Sequence, residues 1–576
     1  MPGSLSKLFD AYRMSVARHD AVPQLALLGI VAGVLAGLTI ILFRLLVEWL
    51  HGALTTGGES GSYLLLAPHH RLLLPLAGGL TIGILFAFLA APDRRVGILH
   101  ILERLAYHQG TLPWRNALVQ FVGGAVSIAC GHSVGREGPS AHLGAASSNL
   151  PAQGLRLPHN SLRVTAACGA AAGIAATFNT PLAGVAFAME VLMMEYTVAG
   201  FAPVILATVS ATMLTRWVFG DQLAFLVPDV NLGSLLELPY IMIAGIVIGL
   251  LGAAFVLGVN WLSRHAQRTP VWLNFGLAGA VVGVCGLLVP QVMGVGDQTI
   301  TDTLHGLYGI ELLLLLVLLK LLASIACIGV GIPAGIIGPS LVIGAAAGAL
   351  FALLGEWLGI TDSGAVTLYA LTGMGAMMAA ILQAPLAGLV AVLELSGHPN
   401  VILPGMLAVV AATITAGLFT GRESVFQALM RQLGLDYRND PVTQSLRRIG
   451  VTAVMDRAFI TLPRQVDRDR AESELGKDPQ WILVRDAEQA AFLLPAVDLV
   501  RALKETEDTL QFDLREVPAQ RLQTAEIDMR ASLQEAHEYM RDSGAEALYV
   551  ARITAPGIKR VYGILTPQCI EQAYRY

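Results

Sequence analysis

The hexapeptide Gly135–Ser140, with the sequence GREGPS, recurs 200 residues later as Gly335–Ser340, with the sequence GIIGPS. A second pair of matching segments follows in the same order, since the tetrapeptide PLAG begins at Pro181 and again at Pro385. Each PLAG copy leads, nine residues after its proline, to a glutamate. Two matches in one order indicate an internal duplication, and we therefore expect two related halves.

The sequence around these segments has the composition of a membrane protein. Hydrophobic residues make up 55% of the 576 residues and charged residues only 14%, whereas a soluble domain carries about 25% charged residues. Several apolar runs approach the roughly 20 residues that a helix needs to cross a bilayer. These runs are Leu25–Leu50, Leu72–Ala91, Tyr240–Val259 and Leu312–Val330. We predict an all-α polytopic membrane protein that interacts with the lipid bilayer. The small net charge of -5 gives no reason to expect a nucleic-acid partner.

The composition changes near Tyr437, beyond which charged residues are frequent and apolar runs are short. The cations Lys7, Arg13 and Arg18 precede the first apolar run, which places the N-terminus in the cytoplasm by the positive-inside rule. The C-terminus is also expected in the cytoplasm. No cleavage pattern of a signal peptide is visible, so the N-terminus is expected to be retained. The predicted regions are a cytoplasmic segment 1–23, a transmembrane domain 24–437 and a cytoplasmic α+β domain 450–576.

A duplicated membrane domain is typical of a pore or carrier whose site lies where the two halves meet. Gly138-Pro139 and Gly338-Pro339 are suited to helix starts inside the membrane, because proline is favoured in the first turn and glycine allows close approach. The unpaired amides of such starts attract anions, and backbone dipoles bind weakly enough for an ion to leave. The two hexapeptides therefore predict an anion site, with ordinary helix capping as the alternative.

Glu137 is the predicted gate of this pathway. An ionisable group inside a membrane span costs about 2.5–3.5 kcal/mol and usually marks an ion route. A carboxylate at a helix N-terminus occupies the position of a permeating anion, and protonation or the ion itself can displace it. The alternatives are an ion pair between Glu137 and Arg136, or an Arg136 that concentrates anions at the pore mouth.

Catalytic and metal-binding motifs are missing from the sequence. It contains no phosphate-binding loop, no H-E-x-x-H and no G-x-S-x-G, so we expect no enzymatic activity. The five cysteines have no C-x-x-C spacing, so neither a disulfide framework nor a metal site is predicted. No cofactor is expected.

From the residues G-R-E-G-P at 135–139, G-I-I-G-P at 335–339 and N-T-P-L-A-G at 179–184, the chain resembles the CLC family of chloride channels and proton-coupled chloride exchangers. The resemblance covers roughly residues 24–435. It implies an inverted repeat of tilted and broken helices, and a homodimer with one pore in each protomer. The implied dimer interface involves helices near 181–218 and 385–418.

The resemblance also assigns roles to individual residues. Glu137 corresponds to the gating glutamate of the family. Chloride as the bound ion would be coordinated centrally by the amides of Ile336 and Ile337, and at an outer site by the amides of Arg136, Glu137 and Gly138.

Three positions depart from the family pattern. A serine that holds the central anion is replaced by Val96, and a tyrosine by Phe426, so the inner constriction is expected to be apolar and to bind anions weakly. The proton-relay glutamate of the exchangers is replaced by Val191, which cannot carry a proton. This favours passive conduction of small anions, with chloride as the expected ion. An anion/proton antiporter and a membrane sensor with a vestigial pore remain alternatives. Glu195 is either a substitute relay or a solvated group at a helix end.

The segment 450–576 resembles a degenerate tandem of CBS modules. Val451–Met455 is similar to the opening of one module, and Tyr549–Ala551 with Val561–Leu565 to the closing strands of the second. The apolar period of Leu533, Ala536, Tyr539 and Met540 predicts a helix between them. Such pairs often bind adenine nucleotides, but no specific phosphate or ribose ligand is recognisable. A structural or dimer-stabilising role is the alternative.

Overall fold

The apolar segments of the first 435 residues form helices, which satisfy all backbone hydrogen bonds internally, as a lipid environment requires. The computed structural model describes residues 12–17, 21–55, 63–194, 197–221, 225, 227–228, 230, 232–362, 364–435, 441–486, 489–506, 510–555 and 558–574. These residues fold into two units. The membrane unit comprises the described residues within 26–153 and 163–437, and the second unit those within 1–25, 154–162 and 438–576.

Seventeen α-helices cover the described residues between 22 and 432. They are α1 (Val22–Leu54), α2 (Pro68–Ala87), α3 (Gly97–Tyr107), α4 (Trp114–Ala129), α5 (Glu137–Gly154), α6 (His159–Phe178), α7 (Pro181–Phe187), α8 (Val198–Phe219), α9 (Glu237–Ala266), α10 (Val271–Leu288), α11 (Asp297–Leu304), α12 (Ile310–Val330), α13 (Ile337–Trp357), α14 (Val366–Leu382), α15 (Pro385–Ser396), α16 (Ile402–Thr420) and α17 (Val425–Gln432). A π-helix, Ala188–Met193, continues α7.

Nine helical stretches in the described part of the chain are long and apolar enough to cross a membrane. The four predicted runs correspond to α1, α2, α9 and α12, which confirms their helical character and most of their bounds. Helices α5 and α13 begin at Glu137 and Ile337, one residue before the predicted Gly-Pro starts, so that each proline lies in the first turn as expected.

Small residues let the two repeat helices pack closely against their neighbours. A Cβ atom at Gly144 would lie 2.2 Å from the backbone oxygen of Gly169 on α6. A Cβ atom at Gly344 would lie 2.3 Å from the backbone oxygen of Gly373 on α14. The same glycine contact therefore joins α5 to α6 and α13 to α14, which is the packing that small residues permit in membrane helices.

The second unit contains strands as well as helices. The strands are β1 (Phe459–Pro463), β2 (Gln465–Asp467), β3 (Trp481–Asp486), β4 (Gln489–Pro495), β5 (Gln511–Asp513), β6 (Leu522–Asp528), β7 (Ala547–Ala555) and β8 (Ile558–Leu565). The helices are α18 (Pro441–Arg448), α19 (Val451–Val454), α20 (Arg468–Leu475), α21 (Ala496–Glu505), α22 (Leu533–Ser543) and α23 (Pro567–Tyr574). A small α/β domain thus follows the membrane unit, as predicted.

The strand pairing of this domain repeats itself. One sheet has the order β1-β3-β4-β6-β7-β8 and a second pairs β2 with β5. Strand β1 is parallel to β3 and antiparallel contacts join β3 to β4, while β6 is parallel to β7 and β7 is antiparallel to β8. Apart from β2 and β5, which form the separate two-stranded sheet, each half has the order β-α-β-β-α, with α20 and α21 in the first half and α22 and α23 in the second.

The helix predicted between Val451–Met455 and the two closing strands is α22, which starts with a capping box formed by Ser532 and Glu535. Leu533, Ala536 and Met540 are buried, but Tyr539 is 44% exposed. The expectation that Tyr539 belongs to the apolar face is wrong, because a residue six positions after Leu533 lies about 240° around the helix.

Candidate functional site

The two hexapeptides of the repeat meet in the structure. The amide of Gly135 donates to the carbonyl of Gly335 at 2.8 Å, and the amide of Gly335 donates to the carbonyl of Gly135 at 2.9 Å. The two segments run antiparallel at this bridge. Helices α5 and α13 begin two residues further on in each segment, so the starts of both helices lie side by side.

Glu137, the first residue of α5, is fully buried at this junction. One carboxylate oxygen, Oε1, accepts a hydrogen bond from the amide of Ile337 at the start of α13. The other, Oε2, has no hydrogen-bond partner among the described residues. The side chain of one repeat therefore binds to the helix start of the other repeat.

The two bridging glycines make room for this carboxylate. A Cβ atom at Gly135 would lie 2.1 Å from Oε2 of Glu137, and a Cβ atom at Gly335 would lie 2.1 Å from Oε1. No side chain fits at either position without moving the carboxylate. The close approach of the glutamate therefore requires glycine at both positions. Ordinary helix capping would not explain this requirement.

The amides predicted to bind an anion are those of Arg136, Glu137, Gly138, Ile336 and Ile337. They surround the two helix starts, where amides have no intrahelical acceptor. The amide of Ile337 is taken by Glu137. The carboxylate is itself an anion at this position, so the geometry fits competition between Glu137 and a small anion for the same donor.

Arg136 pairs with a carboxylate from another helix. Its guanidinium forms an ion pair with Asp297, the first residue of α11, and its side chain is 27% exposed. Both residues line a cavity of about 340 Å³ that also includes Arg44, Glu48 and Tyr63. The side chain of Arg136 therefore borders a cavity next to the junction, and its paired carboxylate belongs to Asp297.

Val96 and Phe426 lie at the starts of two helices that contact each other. Val96 is the N-cap residue of α3 and is half-buried, while Phe426 is the second residue of α17 and is buried. Helices α3 and α17 pack together within the membrane unit. The predicted apolar constriction remains a prediction about these two residues.

Val191 is buried in the π-helix that follows α7. Such helices are rare and frequently occur at functional sites. The side chain has no titratable group, so it cannot relay a proton. Glu195, the candidate substitute, lies outside the described residues.

Two glutamates of the duplicated PLAG segments have a role that the sequence did not suggest. The carboxylate of Glu190 accepts from the amides of Leu386 and Ala387 at 3.1 and 2.6 Å. The carboxylate of Glu394 accepts from the amides of Leu182 and Ala183 at 2.9 and 2.7 Å. Each half thus caps a helix of the other half. The shared spacing of nine residues from proline to glutamate was the available signal.

Other buried polar groups of the membrane unit also form hydrogen bonds. The ammonium group of Lys320, fully buried on α12, donates to the carbonyls of Val292 and Gly294 at 2.9 and 2.8 Å. His100 on α3 and His142 on α5 form a buried pair, with their ring nitrogens Nδ1 and Nε2 2.8 Å apart. Sequence analysis identified neither, because single buried histidines and lysines carry no pattern.

No three side chains of His, Cys, Asp or Glu come close enough to hold a metal ion in the part of the chain that the structure describes. The junction therefore offers amides and one carboxylate as its chemistry.

The family model described as "Voltage gated chloride channel" matches residues 78–417, more than half of the chain. The chain belongs to the CLC family. A relative named putative chloride channel protein ClcB-like, from Ralstonia nicotianae, is 33% identical over 63% of this chain and 86% of its own length. A relative named H(+)/Cl(-) exchange transporter ClcA, from Vibrio parahaemolyticus, is 29% identical over 76% of this chain and 94% of its own length.

Solved CLC structures share the fold. A slow cyanobacterial Cl-/H+ antiporter matches with a TM-score of 0.64 and 24% identity, over 72% of this chain and 99% of its own. A eukaryotic CLC transporter matches with a TM-score of 0.60 and 20% identity, over 94% of this chain and 97% of its own. The predicted CLC fold of a multi-pass membrane protein is confirmed, and family membership supports anion transport. Several relatives are named exchange transporters, so the comparisons do not favour the passive conduction predicted from Val191.

Proposed function

We propose that the protein exchanges small anions, chloride first among them, for protons across a membrane, with Glu137 as the gate. The observation that carries the proposal is the buried carboxylate of Glu137 bound to the amide of Ile337. Protonation would remove the negative charge that favours this contact, and an arriving anion would replace it. One group then responds to both transported species, and relatives such as ClcA of Vibrio parahaemolyticus are named exchangers.

Passive conduction is the second candidate, and Val191 is the observation that favours it. A buried valine stands at the position of the proton-relay glutamate, so this position offers no side chain that can carry a proton along the inner route. Coupled exchange then requires a water-filled inner route or another side chain. We rank exchange first because it uses the titratable Glu137 and agrees with the names of several relatives.

Purified protein in liposomes that contain chloride separates the candidates. External chloride and external pH are recorded together while the chloride gradient drives efflux. An exchanger moves protons inward in a fixed ratio to the chloride released, and does so against a proton gradient. A channel releases chloride with no proton movement, and a vestigial pore releases neither. Proton movement that is absent while chloride flows would refute the proposal.

Two variants test the gate in the same assay. Glu137→Gln resembles the protonated side chain, so it should retain or raise chloride flux while proton movement is abolished. Glu311→Gln, an exposed glutamate in the first turn of α12, is the matched control and should leave both fluxes unchanged. Equal chloride flux and equal proton coupling in the wild type and Glu137→Gln would contradict the gate.

The same proposal includes a homodimer with one pore in each protomer. Met213 and Trp217 on α8, and Ile414 and Leu418 on α16, are exposed apolar residues within the two ranges expected to form the interface. We further propose cytoplasmic termini and, in a bacterium, an inner-membrane location. Crosslinking in membranes and labelling of single cysteines at the two ends test these points.

For the C-terminal domain we propose a degenerate CBS pair. The two β-α-β-β-α halves support it, since each has one parallel and one antiparallel strand pair in the same order. Nothing in these halves points to adenine, so a structural role is as compatible with them as nucleotide regulation. Calorimetry of the full-length protein with AMP and ATP distinguishes the two roles.

A further inference from the structure

Two buried histidines of the membrane unit form a hydrogen-bonded pair with a defined direction. Nε of Arg104 donates to Nε2 of His100 at 3.2 Å. A guanidinium group only donates, so this ring nitrogen carries no proton and the proton of neutral His100 is on Nδ1. Nδ1 of His100 therefore donates to Nε2 of His142, 2.8 Å away. Neutral His142 then carries its own proton on Nδ1.

The ring nitrogen at the far end of this pair is unsatisfied. His142 is fully buried, and its Nδ1 has no hydrogen-bond partner in the described part of the chain. Buried polar atoms nearly always have a partner, so this nitrogen indicates an ordered water at its side. Imidazole can take up a proton at one nitrogen and release one from the other, and the pair is therefore suited to pass protons on.

Two buried acceptors near the junction are also unpaired. Oε2 of Glu137 has no partner among the described residues, and neither has Oε1 of Gln120, a fully buried residue of α4. Nε2 of Gln120 donates to the carbonyl of Pro333 at 3.0 Å, two residues before the bridge at Gly335. A Cβ atom at Gly97, the first residue of α3, would lie 3.9 Å from Oε1 of Gln120. Gln120 thus connects the junction to the start of α3, and the histidine pair follows one turn later.

The step from the histidine pair to the gate needs water. His142 follows Glu137 by five residues on α5, which separates them by about 7.5 Å along the helix axis and about 140° around it. The two side chains therefore do not face each other. One unpaired donor and two unpaired acceptors, all buried, are the groups that ordered waters would join.

The other end of the pair leads to a cluster of charged and titratable groups at the surface. Glu103 lies one turn after His100 on α3, so the two residues share a face of the helix. The buried carboxylate of Glu103 pairs with Arg95, and its Oε1 is 3.5 Å from Nε2 of His108. The side chains of Arg95 and His108 are 45% and 46% exposed. Together with Arg104, these groups give the pair a connection to solvent.

This surface end lies on the side where α5 ends. The amide of Leu112, five residues after α3, donates to Oδ1 of Asn149 at 3.1 Å, and Gln153 donates to the carbonyl of Leu112 at 2.9 Å. Both partners belong to the last two turns of α5, whereas Glu137 begins this helix. The chain continues from α5 into residues 154–162 of the second unit. Since the C-terminal domain of that unit is proposed to be cytoplasmic, the surface end is the inner end.

We propose that His100 and His142 relay protons between the inner surface and Glu137. This inference rests on the proposed exchange and supplies the route that bypasses Val191. In one passage Arg104 moves aside, and Nε2 of His100 takes up a proton from the surface end. Nδ1 of His100 gives its proton to Nε2 of His142, and Nδ1 of His142 releases one through water to Glu137. One proton enters and one leaves, and rotation of both rings restores the starting arrangement.

The test records chloride and proton fluxes together in liposomes that contain the purified full-length protein. His142→Gln and His100→Gln keep a side chain that forms hydrogen bonds, but an amide does not take up and release protons. Each variant should therefore lower the number of protons moved per chloride about tenfold or more. Chloride release should continue, because an arriving anion still displaces Glu137. The double variant should fall no further than either single variant, because the two groups act in series.

His132→Gln is the matched control. His132 is fully buried in the membrane unit, and its Nδ1 lies 3.0 Å from the carbonyl oxygen of Ser127, a contact that an amide can keep. This variant should leave the number of protons per chloride unchanged. Unfolding temperatures in detergent show which variants are folded, and if one relay variant does not fold, the other decides.

The outcomes separate the relay from the exchange itself. Proton movement that is absent in the wild type overturns both. Coupled fluxes in the wild type with an unchanged proton-to-chloride ratio in both relay variants overturn the relay alone. An equal fall of the ratio in His132→Gln does the same, because it shows that any buried histidine has this effect. A ratio that falls only in the relay variants supports the proposal.

Discussion

Substitution of Gly335 by alanine should open the gate without changing any charge. The added Cβ would lie 2.1 Å from Oε1 of Glu137, whereas ordinary contacts of this kind are 3.4 Å or longer. The carboxylate must therefore retreat by roughly 1.3 Å, and its hydrogen bond from the amide of Ile337 is lost. A hydrogen bond to a charged group contributes about 1.5–3 kcal/mol. The ratio of displaced to bound carboxylate should then rise about 10- to 100-fold.

The assay is chloride efflux from liposomes with simultaneous recording of pH. Gly335→Ala should release chloride faster than the wild type and move fewer protons for each chloride. Gly309→Ala is the control, because a Cβ at Gly309 meets no atom within 4 Å. If Gly309→Ala also changes the chloride flux at a comparable amount of folded protein, the effect of Gly335→Ala is not specific to its contact with Glu137.

The new Cβ would also lie 2.6 Å from the amide nitrogen of Gly138, so a shift of the α5 backbone is a competing cause of altered flux. A double variant separates the two causes. If Gly335→Ala acts through the carboxylate, adding it to Glu137→Gln should change flux little further, because both substitutions release the same contact. Effects that add fully in the double variant would refute the reasoning.

Two further predictions concern other parts of the membrane unit. Val96→Ser with Phe426→Tyr should tighten chloride binding about tenfold in calorimetry, since hydroxyl donors are restored to the predicted constriction; unchanged affinity would show that these residues do not face the anion. Glu394→Gln should lower the unfolding temperature in detergent, because one of its two acceptor oxygens becomes a donor that faces a backbone amide, at a cost of about 1.5–3 kcal/mol. The exposed Glu311→Gln should melt like the wild type, and equal melting of both variants would argue against a capping role.

The fold was predictable from the sequence where local chemistry determines it. Apolar length located α1, α2, α9 and α12, and glycine followed by proline located the starts of α5 and α13. These signals are local, because helix length and helix initiation depend on neighbouring residues. The repeat then added the expectation that 135–140 and 335–340 meet, and the bridge between Gly135 and Gly335 shows that they do.

The sequence did not predict which side chains pair with each other in and around the site. Arg136 had two expected roles, and the structure adds a pair with Asp297 that no sequence pattern indicates. The pair of His100 and His142 likewise joins residues of two different helices. Such contacts depend on the packing of helices that are distant in sequence, and a single sequence carries no record of that packing.

The reciprocal caps explain why the position after Glu190 is apolar. Glu190 and Glu394 each use both carboxylate oxygens to bind amides of the other half, so each is held at the junction of the repeats. The next residue in each half, Val191 or Leu395, is buried. A carboxylate at either position would enter a packed apolar surrounding at considerable cost. The symmetric core thus favours apolar residues there, and a relay glutamate would have to be an addition to one half only.

If the protein exchanges anions for protons, the protons must pass through Glu137 and along a route that bypasses Val191. A Val191→Glu variant tests whether this route is complete, when chloride and proton fluxes are recorded at the same time. Proton coupling that rises in Val191→Glu shows an incomplete route in the wild type, whereas coupling that is already full and unchanged shows that the bypass suffices.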